Sequence, residues 1–215
     1  MIFTLFKDRA FEVKYPEALI EAYCFQSDFY AKYDKGRPRD DSSFGYVRYI
    51  GARIEKSVLD ECKNVINQHG NLRIFDSLDL DSFLEETQER DRLISDLSEL
   101  TRELDRIPRV GFSKATKILH TRYPEIVPMI DSPLQKEYKA LKPEWKKGDW
   151  HQLFKDYYDN LLVKETFDNL SVLHANLTYL NLTKVRVFDI LWWSFLKSAK
   201  PDYKGIDWRT IRQVN

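Results

Sequence analysis

The sequence predicts an all-α fold, a helical bundle with at most a minor N-terminal β element. Three observations carry this. Apolar residues recur at helical spacing through most of the chain, as in Leu93, Ile94, Leu97, Leu100 and Leu104. Strand-like alternation is confined to the neighbourhood of Phe3 to Phe6 and Phe11 to Val13. Seven glycines and eight prolines in 215 residues leave little chain for long flexible linkers. The 43% of hydrophobic residues occur in every segment, which excludes disorder and suffices for a buried core. Residues 1–215 read as a single helical domain.

The elements follow in order. Pro16 opens a helix expected to run over 16–33, with Leu19, Ile20, Tyr23 and Cys24 at helical spacing. The stretch Lys35 to Ser43, with Gly36 and Pro38, is the best candidate for a flexible segment, and four basic residues between Lys32 and Arg39 give it positive charge. A second helix is expected over 44–68, stopping at Gly70. The turn-like residues 79–82 precede a short helix at Phe83-Leu84. A long helix over 91–106 carries the leucine stripe. A short helix over 113–122 follows, then a loop punctuated by Pro124 and Pro128. The run Asp131-Ser132-Pro133-Leu134-Gln135 is a helix start, with Ser132 as N-cap, Pro133 in the first turn and Gln135 completing the cap. Helices over 149–162, 164–177 and 183–198 complete the chain.

Charge is balanced overall, 34 basic against 34 acidic residues, so no polyanion partner follows from the total. Its distribution is uneven. Residues 72–106 hold eleven acidic and five basic side chains, and residues 107–147 hold nine basic and four acidic. The second segment could present a phosphate-binding face or an ordinary solvated one. Cys24 and Cys62 lie in apolar patterns and read as reduced core residues. The four histidines are scattered without metal spacing, so no metal site is expected. The N-terminus lacks the features of a secretory signal, and the most apolar run, Ile190 to Leu196, is too short for a bilayer. A cytoplasmic protein without membrane contact is the plain expectation.

The most informative segment is Ile107-Pro108-Arg109-Val110-Gly111-Phe112-Ser113-Lys114-Ala115-Thr116-Lys117-Ile118-Leu119. Ile107 and Pro108 end a helix. Val110 points a small apolar side chain inward, and Gly111 admits a backbone conformation closed to other residues. Ala115 is small where two helices approach, and Ile118 and Leu119 anchor the second helix. The first amides of that helix lack intrahelical partners and can hold a phosphate oxygen, with Lys114 and Lys117 adding charge. The alternative is a plain packing corner.

These residues resemble the helix-hairpin-helix motif of DNA-binding proteins, whose usual form is Leu-Pro-Gly-Val-Gly followed by Ala and aliphatics. Ile107, Pro108, Val110, Gly111 and Ala115 match, and Arg109 replaces the first glycine. The resemblance implies sequence-independent binding to the DNA backbone through Arg109, Val110, Gly111, Ser113, Lys114 and Lys117. It implies no organic cofactor, and at most a monovalent cation held by hairpin carbonyls.

Over residues 91–140 the chain also resembles the endonuclease III and 8-oxoguanine glycosylase (HhH-GPD) superfamily of DNA-repair enzymes. There the hairpin is followed by a loop and a catalytic Asp about twenty residues on, the position of Asp131 in Val127-Pro128-Met129-Ile130-Asp131-Ser132. The resemblance implies a glycosylase-type helical bundle in which Asp131 stabilises charge on the deoxyribose or helps activate water. Two departures matter. The bifunctional members carry a nucleophilic Lys where this chain has Ser113, and Lys114 is turned about 100° from that direction. No four-cysteine iron–sulfur signature exists. Base removal without strand cleavage is the most the match implies, and Asp131 also reads as a helix cap. The apolar run Phe188 to Phe195 could stack a base, but at helical spacing it reads as core, and Asp189 within it needs a partner, Arg186 or a helix N-terminus. Two functional readings stand: a DNA-binding, glycosylase-like protein, and a helical interaction module without a nucleic-acid role.

Overall fold

The computed structural model describes residues 1–5, 9–26, 41–85, 87–198 and 211–214. The fold is all-α with a minor β element. Strand β1 (Ile2–Leu5) and strand β2 (Arg9–Val13) pair antiparallel, with Phe3 opposite Phe11. A strand the sequence did not suggest, β3 (Ile211–Val214), adds to the other edge of β2, with Val13 opposite Ile211. Helix α1 spans Pro16–Gln26. The residues expected to extend it to 33, and the basic stretch Lys32 to Arg39, lie outside the described residues.

The helix expected over 44–68 is two elements. A 3-10 helix occupies Asp41–Ile50, and helix α2 occupies Lys56–Gln68. Gly51 breaks them with φ +75°, and Glu55 at the start of α2 is extended, ψ 149°. A continuous helix cannot pass through a left-handed residue, so periodicity alone misled here. After a second 3-10 helix (Gly70–Asp76) come α3 (Leu80–Glu85), α4 (Thr87–Arg106), α5 (Gly111–Arg122), α6 (Ser132–Leu141), α7 (Trp150–Leu161), α8 (Lys164–Asn176) and α9 (Lys184–Ser198). Helix α4 begins four residues before its leucine stripe suggests. Arg90 in its first turns is buried and donates from Nη1 to the carbonyl of Leu84 at 2.8 Å, which ties α3 to α4.

Helix α4 is central because its stripe has partners on several sides. Leu93, Ile94, Leu97, Leu100 and Leu104 are all buried, and the helix packs against α2, α5 and α7. Each such side chain contributes roughly 1.5–3 kcal/mol on full burial. The polar residues between them are satisfied within the helix: Ser98 Oγ donates to the Ile94 carbonyl at 2.6 Å and Thr101 Oγ1 to that of Leu97 at 2.7 Å. The small sheet closes one side of the bundle. Phe3 and Phe11 are buried, Phe11 meets the Phe195 ring of α9 at 5.0 Å, and Thr166 and Asn169 of α8 hydrogen-bond to backbone atoms of β1. Covering β1 in this way removes an open strand edge. Cys24 and Cys62 are buried and not joined in a disulfide, and burial pushes the Cys62 thiol up to about 11. Phe188, Ile190, Leu191 and Trp192 are buried, so the aromatic run of α9 is core.

Candidate functional site: a hairpin and the cleft behind it

Residues 107–110 turn the chain between α4 and α5. The Ile107 amide donates to the Leu104 carbonyl at 3.1 Å, and the Val110 amide to that of Ile107 at 3.1 Å. Val110 is buried, as are Ala115, Ile118 and Leu119, so the inward face of the hairpin is filled. Phe112 stacks on Trp150 of α7 with ring centroids 3.8 Å apart, which fixes the direction of α5. The outward face is different. Pro108, Arg109 and Gly111 are exposed, and no side chain caps the first turn of α5. Gly111 has φ +69° and Arg109 φ +71°. Arg109 thus adopts the left-handed conformation that glycine would hold with least strain, at a cost of roughly 1–2 kcal/mol for a residue with a Cβ.

Two cations frame this turn. Arg109 is 70% exposed and donates from Nη1 to Glu55 Oε1 at 2.7 Å. Lys114 Nζ donates to the Arg109 carbonyl at 2.7 Å. An ammonium of the chain itself therefore serves a hairpin carbonyl, and a monovalent cation held there would compete with it. Val110 contributes packing, and its N–H is already engaged. Ser113 is half-buried.

Lys117 lies elsewhere. It points from α5 into a small cleft shared with Tyr23, Met129, Asp131, Leu134, Arg186, Asp189 and Trp193. Burial lowers its pKa; the Asp131 carboxylate opposes the shift and the Arg186 charge adds to it. The cleft measures about 30 Å³, room for a water or two and not for a nucleobase.

The cleft exists because residues 124–130 cross the bundle as a buried strap. Its backbone polar groups are met by side chains from three helices. Thr183 Oγ1 donates to the Pro124 carbonyl at 2.9 Å and Tyr158 OH to that of Ile126 at 2.8 Å. His120 Nδ1 lies 2.6 Å from the Val127 carbonyl. The Met129 amide donates to Asp189 Oδ2 at 2.9 Å, and the Ile130 amide to Thr116 Oγ1 at 3.2 Å. Tyr157 OH donates to the other oxygen of Asp189 at 2.9 Å. Burial pushes the Asp189 carboxyl up to about 7 against the pull of the Met129 amide, Arg186 and Tyr157. Of the partners expected for Asp189, Arg186 acts on it through its charge, while its hydrogen bonds come from the Met129 amide and Tyr157 OH.

Asp131 ends the strap and starts α6. It is the N-cap, accepting from the Leu134 amide at 3.1 Å, with Pro133 in the first turn. Ser132, expected as the cap, is the first helical residue instead, because the strap delivers Asp131 to the helix entrance in extended conformation, φ −85° and ψ 174°. Asp131 therefore does two things at once: it caps α6, and it faces the cleft beside Lys117 and near Asp189.

Sequence reasoning did not connect Lys117, Arg186 and Asp189 as one group, nor did it single out the segment before α2. That segment borders both features. Glu55 pairs with Arg109, and Ile50 packs with Met129, Tyr46 and Tyr49 in a small apolar cluster separate from the main core. No group of three or more His, Cys, Asp or Glu side chains suited to a metal ion occurs among the described residues, and none of their helices is long and apolar enough to cross a membrane.

No curated protein and no solved structure matches the chain. A family match covers residues 71–196, which takes in the hairpin, the strap, Asp131 and Asp189. The chain belongs to that family, a family of unknown function designated DUF6308.

Proposed function

We propose that the protein binds DNA through the hairpin at residues 107–114, contacting backbone phosphate without reading sequence. One observation supports this most: α5 starts at the exposed Gly111 with no side-chain cap, between Arg109 and Lys114. Free amides at a helix start and two flanking cations suit an anionic oxygen. Gly111 leaves the approach open, since nothing stands within 4 Å of where its Cβ would be. The resemblance to helix-hairpin-helix proteins supports the same reading. Lys117 has no part in the grip, being committed to the cleft.

The second step of the reading is a glycosylase-like activity at Asp131, which faces a cleft lined by charged residues. Its narrowness means that an extruded base requires the walls, Met129, Leu134 and Trp193 among them, to part. The experiment is anisotropy titration of a labelled duplex with the wild type and Lys114→Ala. Weaker binding by the variant is expected at each salt concentration, with wild-type binding that falls as salt rises. Wild type that leaves the duplex unbound at low salt overturns it and favours the interaction-module alternative.

A further inference from the structure

The segment that leads into α2 carries an aromatic and basic edge that the hairpin reading does not use. Tyr46 and Tyr49 of the first 3-10 helix are half-buried, with ring centroids 5.6 Å apart and planes at 54°. Arg48 between them is exposed; its guanidinium lies 4.9 Å from the centre of the Tyr49 ring, and its Nη2 donates to Tyr49 OH at 2.9 Å. The two rings rest on Ile50 and Met129, outside the main core.

Three contacts fix where this edge sits. Met129 is both the floor of the tyrosine cluster and a wall of the Asp131 cleft. Gly51, just after the 3-10 helix, is so close to the cleft lysine that a Cβ there would lie 3.6 Å from Lys117 Nζ. Glu55 reaches Arg109 on the hairpin. The edge therefore lies at the rim of the cleft, on the side that joins it to the hairpin.

Its chemistry selects an occupant. From Phe44 to Lys56 the charged residues are Arg48, Arg53, Lys56 and Glu55, the cations all exposed and the single acid engaged by Arg109. Positive charge continuous with a phosphate-binding turn suits the same polyanion. Tyrosine rings and a guanidinium plane are sequence-tolerant stacking partners for a base. A paired base has its faces covered by its neighbours in the duplex and cannot use them, whereas one that has left the stack can. The cleft itself is too small to swallow that base.

We infer that Tyr46, Arg48 and Tyr49 form a stacking rim for an unpaired nucleotide, which rests beside the cleft while the hairpin holds the flanking backbone. This rests on the nucleic-acid reading and adds to it the substrate class: DNA with an unpaired or displaced base, in preference to intact duplex.

The test uses the full chain and two labelled duplexes, one fully paired and one with a single bulged 2-aminopurine. Wild type is expected to bind the bulged duplex about tenfold more tightly and to quench the 2-aminopurine fluorescence on binding. Tyr49→Leu keeps an apolar side chain against Met129 and is expected to lose most of the preference and the quench while still binding paired duplex. Arg48→Gln changes only an exposed residue and is expected to reduce both in the same direction, so it decides the matter should Tyr49→Leu fail to fold. Wild type that binds both duplexes equally overturns this inference alone, as do folded variants that keep full preference and quench. Wild type that binds neither duplex overturns the hairpin reading and this inference together.

Discussion

Asp189 of α9 accepts a hydrogen bond from the Met129 amide at 2.9 Å, across 60 residues of sequence. That contact holds the strap two residues before Asp131. It also makes a pH prediction. The Asp189 pKa rises from an ordinary 3.8 to about 7 in the folded chain. Between those values the native state keeps a proton that the unfolded chain has released. The stabilisation carried by the protonated form is complete below about pH 4 and is lost as pH rises towards 7. Asp189→Asn cannot titrate. Wild-type stability minus variant stability, from urea denaturation, is expected to fall by up to about 1.4 kcal/mol per pH unit across that window and to flatten above it. A difference that is constant from pH 4 to 7 would remove Asp189 from the account.

The hairpin backbone predicts opposite effects at two neighbouring residues. Gly111 at φ +69° has open space around the position of a Cβ, so Gly111→Ala meets only conformational strain and is expected to destabilise by roughly 1–2 kcal/mol. Arg109 at φ +71° already bears that strain. Arg109→Gly relieves it and loses an exposed ion pair to Glu55 worth at most about 1 kcal/mol. The higher unfolded-state entropy of glycine offsets part of the gain. The expected result is unchanged or slightly greater stability with weaker duplex binding. Chemical denaturation checks both, and an Arg109→Gly variant as unstable as Gly111→Ala contradicts the strain argument.

At Asp131 two roles separate by choice of substitution. Asparagine caps a helix about as well as aspartate, and alanine does not. Asp131→Asn is expected to keep the melting behaviour of the wild type. Asp131→Ala is expected to lose about 1 kcal/mol with the Leu134 cap. Under the glycosylase-like reading, both lose excision on lesion-bearing oligonucleotides. Product formation that survives Asp131→Asn confines the residue to capping.

Much of this was legible because it is local. The α4 stripe, the buried Val110 and Ala115, and the helix start near Asp131 follow from spacings of a few residues. The cleft was not legible as a unit, because Lys117, Asp131, Arg186 and Asp189 meet only through long-range packing, and periodicity holds no information on which helices face each other. Lys117 shows the consequence: its place three residues after Lys114 suggested a shared phosphate grip, yet it turns into the cleft while Lys114 stays at the hairpin. The break at Gly51 was hidden because the apolar pattern continues through it. The left-handed Arg109 was hidden because glycine is the residue that such a turn favours.

The proposed function assigns backbone phosphate to Arg109 and Lys114 at the hairpin. It is tested most directly by the salt dependence of duplex affinity for wild type and for Arg109→Ala combined with Lys114→Ala. Each lost phosphate contact removes about 0.9 from the slope of log affinity against log salt. The double variant is expected to bind more weakly and with a slope shallower by about 2. An identical slope and affinity in a folded double variant would contradict it.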